Sequence, residues 1–343
     1  MESNSELYSK VDLGYSEPCE SWKLSSKFFP SKIGGKPAWL DLDGVPSGED
    51  LSCTKCGDPM TFLCQIYAPY EEDDHNFHRT LFIFVCRKPE CHERNKSQSF
   101  RLIRSNLKRK NKFYSYEAPE EVEGEHSLKT WLSLCEVCGC VGTKKCSKCH
   151  LVNYCSRQHQ IIDWKENHKS LCGQGSIRSK KYSAILFPES KINIDFEILD
   201  SEETNEEEEK QKYIDLVNAG KSGEDVDEEE LAQYITEDPD KTFTKFREEI
   251  DGYPDQILRY ERGGEPLYIS NEEVPKDIPN CEHCGGPRQF EFQIMPQMIS
   301  IINEANLDWG ILLCFTCIAS CDGGRSYKNE YIYKQDVSLV DLK

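Results

Sequence analysis

Cysteines and histidines at metal-ligand spacing dominate the middle of this chain. Four pairs follow one another between residues 135 and 172, with two or three residues between the members of each pair. Eight thiolate and imidazole donors in series suit two tetrahedral zinc ions. A stretch of 38 residues builds little hydrophobic core, so the metals would hold it together. The pairs are Cys135 with Cys138, Cys146 with Cys149, Cys155 with His159, and His168 with Cys172.

Two further cysteine groups flank this module, one near each end of the chain. Each begins with Cys-x2-Cys followed by glycine, and each is completed by two cysteines that come after an apolar run. We predict that each group forms a ribbon in which four thiolates hold one structural zinc. The predicted ligands are Cys53, Cys56, Cys86 and Cys91 in the first ribbon, and Cys281, Cys284, Cys314 and Cys317 in the second.

The later ligands of each ribbon leave alternatives open. Cys86 and Cys91 are spaced more widely than is usual, so His92 or Cys64 could replace one of them. Cys321 competes with Cys317 in the same way. The alternative to metal binding is that these thiols pack as small buried hydrophobic groups. We expect such packing for the four cysteines that remain, because nothing marks one of them as a nucleophile. These are Cys19, Cys64, Cys140 and Cys321.

The two ribbons lie in segments that resemble each other. Residues 53–59 and 281–287 are both followed by a phenylalanine and then by Gln-Ile, at a constant offset of 228 residues. Upstream, Gly-Gly-x-Pro at 34–37 matches Gly-Gly-x-Pro at 263–266. We therefore predict an internal duplication, in which two diverged copies of one unit flank the central module.

Periodicity predicts that both copies are rich in β-strand. Short apolar or alternating runs at 81–85, 99–103, 192–198 and 330–334 read as strands, and 240–260 reads as a helix. We expect an α+β, β-rich fold with two zinc-stapled β units and a small zinc finger inserted between them. The expected boundaries are 1–125 for the first unit, 130–175 for the finger, 176–240 for a strand and acidic linker, and 241–343 for the second unit.

The charge of the chain limits its partners. Lys and Arg number 42 against 61 Asp and Glu, which gives a net charge of −19. Direct nucleic-acid binding is therefore not expected, and the balance favours either simple solubility or basic partners. Acidic runs at 202–209 and 224–230 are either a solvated linker or a surface that holds a lysine-rich client. A local basic cluster could contact RNA, serve as a nuclear address or form a solvated turn. Its members are Arg101, Arg104, Lys108, Arg109, Lys110 and Lys112.

The sequence also indicates a compartment and argues against catalysis. The first residues are polar and acidic, and no apolar run approaches the length of a membrane span. We expect a cytoplasmic and nuclear protein without a membrane partner, whose cysteines bind metal rather than form disulfides. Motifs of nucleotide-binding loops, serine hydrolases, zinc proteases and zinc deaminases are absent. We expect no enzymatic activity.

The central module resembles a MYND-type zinc finger. The likeness includes 154–156 (Tyr-Cys-Ser) and the Asp-Trp pair at 163–164, ahead of His168. In that family the ligand pairs are interleaved, and many members carry cysteine where this chain has His159. We expect Tyr154 and Trp164 to be structural, and the resemblance implies a shallow groove beside them that could take an extended proline-rich peptide. It implies one zinc on Cys135, Cys138, Cys155 and His159, and a second on Cys146, Cys149, His168 and Cys172.

Outside the finger, the chain resembles the programmed cell death protein 2 family over nearly its whole length, apart from the acidic linker. The likeness rests on residues 29–40, which read Phe-Pro-Ser-Lys-Ile-Gly-Gly-Lys-Pro-Ala-Trp-Leu, and on Gln-Ile-Leu-Arg-Tyr at 256–260. It implies a dedicated chaperone for a newly made ribosomal protein of the 40S subunit, the one that lines the channel through which mRNA enters. The function implied is 40S ribosome biogenesis. The alternative is a nuclear adaptor in transcription or apoptosis regulation that binds corepressor peptides through the MYND finger.

Overall fold

A computed structural model describes residues 8–123, 132–174, 182–198 and 241–337 of the chain. Ten antiparallel strands close into one barrel, in the order β1-β8-β2-β3-β4-β5-β12-β11-β10-β9, and β9 pairs with β1. Two short strands, β6 (Lys144–Lys145) and β7 (Asn153–Tyr154), form a separate hairpin in the finger. The barrel strands are β1 (Tyr8–Glu17), β2 (Lys32–Ile33), β3 (Thr61–Tyr67), β4 (His78–Val85), β5 (Phe100–Leu107), β8 (Ser190–Ile198), β9 (Leu258–Tyr260), β10 (Arg288–Ile294), β11 (Ile311–Cys317) and β12 (Tyr327–Gln335).

Helices are few in the described part of the chain. They are α1 (Arg157–Asp163), α2 (Lys169–Leu171), α3 (Lys241–Asp251) and α4 (Gln297–Ile302), and a π-helical turn, Trp164–His168, joins the first two. Short 3-10 turns occur at Ser21–Leu24, Ser26–Phe28 and Pro89–Cys91. Among these residues, no helix has the length and apolar character needed to cross a membrane. The prediction of a β-rich fold is confirmed.

The predicted helix at 240–260 is shorter than expected. It ends at Asp251, turn residues follow, and β9 begins at Leu258. Pro254 lies between these two elements and cannot continue a helix. The periodicity in this stretch therefore covered a helix and a strand, not one element.

Alternate side chains along the strands fill the barrel. Leu81, Ile83 and Val85 of β4 are fully buried in one cluster with Phe292 of β10. The spacing of two places the first three on one face of the strand, which is the face that points inward. Arg79 shares this spacing, so it also points inward and needs a buried partner.

We call strands β1 to β5, which precede the finger in the chain, the first half of the barrel. The finger covers the outer face of this half. Phe82 and Phe84, on the outward side of β4, share a buried cluster with Trp39 and with Val137 of the finger. The Trp39 indole Nε1–H donates a hydrogen bond of 2.7 Å to the carbonyl of Gly139. The finger is therefore packed into the core of the first half rather than attached by a linker alone.

We call strands β9 to β12 the second half of the barrel. Helix α3 covers the outer face of this half. Phe246 of this helix is buried against Phe290 of β10 and against Leu313 and Phe315 of β11. Phe246 is the one buried apolar side chain of α3, so the helix covers a single patch of the barrel surface.

The two halves repeat one local arrangement. The side-chain oxygen of Gln65 on β3 accepts a hydrogen bond of 2.9 Å from the backbone N–H of Ala38. The side-chain oxygen of Gln293 on β10 accepts one of 2.8 Å from the backbone N–H of Leu267. Ala38 and Leu267 each follow Gly-Gly-x-Pro in the sequence. The two stretches that match in sequence are thus held against the sheet by the same contact.

Candidate metal centres

The structure gathers the metal-ligand residues into four groups of four. Within each group the sulfur and nitrogen donor atoms all lie within 4.8 Å of one another. The groups in the finger have the members that the resemblance to MYND fingers implied. The four groups are Cys53, Cys56, Cys86 and Cys91; Cys135, Cys138, Cys155 and His159; Cys146, Cys149, His168 and Cys172; and Cys281, Cys284, Cys317 and Cys321.

The donor separations in the finger fit tetrahedral zinc. Cys138 Sγ lies 3.5 Å from Cys155 Sγ, and Cys149 Sγ lies 3.4 Å from His168 Nε2. Zinc bonds of about 2.3 Å to sulfur and about 2.0 Å to nitrogen give donor–donor distances of roughly 3.5–3.8 Å at tetrahedral angles. A disulfide would need sulfurs about 2.05 Å apart. All 18 cysteines lie among the described residues, and all of them are free.

Each Cys-x2-Cys loop is closed by the same backbone turn. The residue after the second cysteine has a positive φ and donates its N–H to the carbonyl of the first cysteine. Glycine adopts this left-handed conformation without a β-carbon clash, and three of the four loops use it. His150 takes the position in the fourth loop, with φ of 56°. The glycines are Gly57 (φ 73°), Gly139 (φ 76°) and Gly285 (φ 73°).

A buried carboxylate fixes the finger helix against its hairpin. Asp163, at the end of α1, has no exposed surface and accepts a hydrogen bond of 2.6 Å from the Tyr154 hydroxyl. Tyr182, on the segment that leaves the finger, donates to the other oxygen of the same carboxylate. Burial and the Asp163 charge both raise the pKa of Tyr154, so this hydroxyl stays protonated as a donor. At its other end, α1 is capped by Ser156, whose side chain accepts a hydrogen bond from the N–H of the ligand His159.

Tyr154 and Trp164 differ in exposure, and the predicted structural role is confirmed for Tyr154. Tyr154 is completely buried and cannot line a surface groove. Trp164 is 36% exposed, and Ile161 (43%) and Leu151 (48%) are the other large apolar side chains of the finger that reach solvent. The finger surface therefore presents these apolar side chains to solvent. Tyr182 escaped sequence analysis because its partner carboxylate lies 19 positions away in the chain.

The first ribbon has the predicted four members. Cys56 Sγ lies 3.8 Å from Cys86 Sγ, a separation that suits two thiolates on one zinc. His92 does not join them, because its Nε2 contacts the Cys86 carbonyl and its Nδ1 contacts the Ser99 hydroxyl. Cys64 points into the barrel, and burial raises the pKa of its thiol. Both alternatives to the predicted set are therefore engaged elsewhere.

The second ribbon differs from the prediction at one ligand. Cys281 Sγ lies 3.8 Å from Cys321 Sγ, and Cys284 Sγ lies 3.5 Å from Cys317 Sγ. Cys314, which the sequence comparison chose, is completely buried inside the barrel, and burial raises the pKa of its thiol. It packs as a small hydrophobic residue, and Cys321 takes its place in the group.

The registers of the two hairpins explain this error. Both hairpins contain a bulge at the equivalent point. After the bulge, Cys64 of β3 pairs with Ile83 of β4. Phe292 of β10, the counterpart of Cys64 at the offset of 228, pairs with Cys314 of β11. Ile83 and Cys314 are therefore equivalent, at an offset of 231 residues rather than 228, because the second hairpin connection is longer. With the offset of 231, the residue equivalent to the first-ribbon ligand Cys86 is Cys317. Because successive side chains of a strand point to opposite faces, an error of three residues moves the predicted ligand to the wrong face.

Three family models match the chain: the programmed cell death protein 2 N-terminal domain over residues 10–121, the MYND finger over 135–172, and the programmed cell death protein 2 C-terminal putative domain over 240–341. Programmed cell death protein 2 of Bos taurus is 42% identical over 351 residues, which cover 97% of this chain and 98% of the relative. The chain belongs to the programmed cell death protein 2 family.

More distant relatives share parts or weaker versions of this likeness. The programmed cell death protein 2-like protein of Homo sapiens is 27% identical over 330 residues, or 85% of each chain. A Schizosaccharomyces pombe protein named probable 20S rRNA accumulation protein 4 is 39% identical over 95 residues, or 24% of each chain. No solved structure matches the chain.

In this family member, hydrogen bonds connect the second ribbon to ion pairs inside the barrel. Arg104 Nη1 donates a hydrogen bond of 3.2 Å to the carbonyl of Cys321, and its Nε forms a 2.7 Å ion pair with Glu330. Glu330 also accepts from the Cys317 N–H at 3.2 Å. The one sign of this network in the sequence is the alternation along β12, which places Glu330 on the inward face, where a charge requires a partner.

The same contacts correct the predicted basic cluster. Arg104 has no exposed side-chain surface, so it cannot form part of a surface patch. Arg109 stacks on the rings of Phe77 and Tyr116, at 4.7 and 4.3 Å from their centroids. The exposed members are Lys108, Lys110 and Lys112, and Lys112 forms an ion pair with Asp43.

Proposed function

We propose that this family member is a dedicated chaperone that binds a newly made, basic protein of the small ribosomal subunit and supports 40S biogenesis. The observation that carries the proposal is the concentration of charge in one segment. Residues 199–240 hold 17 of the 61 acidic residues and three of the 42 basic ones, so this segment has a net charge of −14 out of −19. The predicted acidic runs lie outside the described residues.

The fold anchors both ends of this acidic segment. It leaves β8, which ends at Ile198, and enters α3, which begins at Lys241 on the outer face of the second half. A client with many lysines and arginines would thus meet a polyanionic segment that is joined to described elements at both ends. Exposed charge pairs contribute about 0.2–1 kcal/mol each, so many weak pairs are needed to hold it. Ribosomal RNA, with its dense phosphate charge, would compete for the same cations and release the client.

A relative supports the link to ribosome assembly. The fission-yeast protein that shares 24% of its length with this chain is named for 20S rRNA accumulation. The identity of the client is the finer part of the proposal. By the family resemblance it is the 40S protein that lines the channel through which mRNA enters. A chaperone of this kind would act in the cytoplasm and the nucleus.

The proposal includes four structural zinc ions, two in the finger and one in each ribbon. Every group provides four protein donors, so a tetrahedral ion has no position left for water or substrate. Such ions stabilise the fold without activating a nucleophile, which is why we propose a binding protein and not an enzyme. The repeated hairpins, glutamine contacts and ribbons support descent of the two halves from one duplicated unit.

The finger favours a second candidate function, that of an adaptor for peptides in transcription or apoptosis regulation. Leu151, Ile161 and Trp164 are between 36% and 48% exposed, and all three belong to the finger. Apolar side chains that reach solvent on a small domain suit a short proline-rich segment. Replacing the three with serine would abolish peptide binding if this function is correct, and would leave capture of a ribosomal protein intact.

The test of the chaperone is capture of newly made proteins during translation. The full chain is purified from cells after a short labelling pulse, and the recovered small-subunit proteins are quantified. In the test variant, the glutamates at 206–209 and 228–230 become glutamine; the control carries glutamine or asparagine at exposed acids of the barrel and the finger. We expect one ribosomal protein in near-equal amount with the parent and control, and a large loss with the test variant. Recovery of no ribosomal protein by the parent chain would refute the function.

A further inference from the structure

Strand β8 has a neighbour on one side only along most of its length, within the described ranges. On one side β1 pairs with it from Lys191 to Ile198. On the other side the two-residue β2 reaches only Lys191, and the next bond, from the Ile192 N–H to the Ser31 carbonyl at 2.9 Å, is the last. Beyond Ile192, no described strand pairs with that side of β8. We call this side, from residue 193 to 198, the open edge.

The direction of the backbone groups shows what the open edge offers. Alternate residues of a strand point their N–H and C=O groups to the same side. Because Ile192 bonds away from β1, Ile194 also directs its N–H and C=O away from β1, toward the open edge. Phe196 points the same way, and its N–H donates to Asp195 Oδ1 at 2.9 Å. The Ile194 backbone is thus placed to receive an added strand.

Apolar side chains accompany this edge. Ile194 is 42% exposed and Phe196 is 64% exposed, and both lie on the face of β8 that carries the buried Ile192. Edge strands of monomeric proteins are usually protected by charges, proline or short length, because an exposed apolar edge pairs readily with another chain. The exposed apolar side chain of Ile194, on a stretch of β8 that no described strand pairs with on this side, therefore indicates a binding edge.

The charge of the chain identifies the occupant. The segment with net charge −14 starts directly after β8, at residue 199. A strand seated on the open edge would lie beside the attachment point of this polyanion, so a lysine- and arginine-rich strand is favoured over an acidic one. We propose that the open edge binds an extended basic segment of the captured protein as an added β-strand. This inference rests on the proposed chaperone function and names the surface that performs it.

Hydrogen exchange of the full-length protein provides the direct test. The probe is the mixture of proteins extracted by acid from purified 40S subunits, with a polylysine peptide as a probe of charge alone. In the free chain the Ile194 amide should exchange rapidly; with the 40S proteins it should slow by at least about tenfold, as expected when an exposed amide joins a ladder. The amides of Asn193 and Asp195, which face β1, should not change. Polylysine should not protect Ile194, because it lacks apolar side chains for this face.

A pair of variants tests the same edge by affinity. Ile194→Pro removes an N–H that faces the open edge and leaves the pairing with β1 intact. Ile194→Val keeps both the N–H and the apolar side chain. We expect the proline variant to retain less than about a tenth of the captured protein and the valine variant to retain nearly all of it. Melting temperature and zinc content establish whether both variants are folded. If the proline variant does not fold, the hydrogen exchange of the Ile194 amide in the parent chain tests the binding edge instead.

The outcomes separate this inference from the function on which it rests. If the parent chain captures a 40S protein without protection of Ile194, the open edge is not the site, and the chaperone function stands. If no 40S protein is captured, both fail. If the Ile194 amide already exchanges slowly in the free chain, another segment of the chain covers the edge, and the inference is overturned.

Discussion

Arg79 and Glu291 form a paired hydrogen bond inside the barrel, although 212 residues separate them in the chain. Arg79 Nη2 lies 2.7 Å from Glu291 Oε2, and neither side chain has exposed surface. Burial alone would raise the pKa of Glu291, but the Arg79 guanidinium outweighs it and holds that pKa below its usual value. One residue lies on β4 and the other on β10, so the pair joins the two halves of the barrel.

Removing one partner of this pair should destabilise the whole barrel. Glu291→Gln leaves the Arg79 charge buried without a counter-charge, which typically costs about 3–5 kcal/mol. Urea unfolding followed by circular dichroism measures the loss. The exposed pair of Lys112 and Asp43, with side chains 58% and 64% exposed, supplies the control. Asp43→Asn should leave the unfolding midpoint nearly unchanged. An equal effect of the two substitutions would show that the buried pair stabilises the barrel no more than an exposed pair does.

The ligands of the finger could be predicted from sequence because they are local. Each pair sits within five consecutive positions, and the family pattern determines which pairs combine. The second ribbon depends on a hairpin whose connection is longer than its counterpart, so a constant offset chose Cys314 instead of Cys321. The length of a loop can change without changing the strands that it connects. A residue offset between two repeats that holds before a loop therefore need not hold after it.

The closure of the barrel could not be predicted in this way. Periodicity indicates which face of a strand is buried, but not which strand lies beside it. Arg79 and Arg104 sit at inward positions, where the alternation predicts apolar residues, and their partners come from the other half of the chain. Such exceptions to an apolar pattern signal a buried partner without identifying it.

The corrected ligand set of the second ribbon can be checked by metal content. Cys321→Ser should lower bound zinc by one ion per chain, because it removes one of four donors. Cys314→Ser should retain the full content, because this thiol lies inside the barrel and away from the group. Native mass spectrometry of the purified chains counts the ions. Loss of an ion from the Cys314 variant, with none lost from the Cys321 variant, would restore the original ligand assignment.

Acid should weaken the fold through His78. Burial, with a smaller effect from Arg109, lowers the pKa of this imidazole from 6.5 to about 4 in the folded chain. The unfolded chain therefore binds a proton first as the pH falls. The stability that the neutral ring provides is complete above about pH 6.5 and is lost progressively between about pH 6.5 and 4. Melting temperatures measured across this window should fall as the pH decreases.

A variant separates this effect from the loss of zinc in acid, which acts on the whole chain. His78 stacks on Phe29 at 4.3 Å between ring centroids, and its Nδ1 contacts the Tyr67 hydroxyl at 2.9 Å. His78→Phe keeps the stacked ring and removes the titrating group, so its melting temperature should fall less steeply between pH 6.5 and 5. Parallel pH curves for the two chains would assign the acid sensitivity to other groups.

Two glycines with the same backbone conformation should respond differently to alanine. Gly57 and Gly139 have φ of 73° and 76°, and an alanine in this region costs about 1–2 kcal/mol through its β-carbon. Around Gly57 the added carbon meets open space, whereas at Gly139 it would lie 2.9 Å from Lys36 Cβ. Gly139→Ala should therefore cost more, and it should disturb the hydrogen bond from the Trp39 indole that seats the finger.

Limited proteolysis distinguishes the two expected effects, because it reports release of the finger separately from global stability. Gly57→Ala should lower the unfolding midpoint and leave the finger as resistant to cleavage as in the parent chain. Gly139→Ala should expose the finger to cleavage at temperatures where the barrel is still folded. If both variants lose stability equally and neither frees the finger, the contact between Gly139 and the first half does not seat it. The attachment would then depend on the apolar cluster around Trp39 alone, since that surface is unchanged by either substitution.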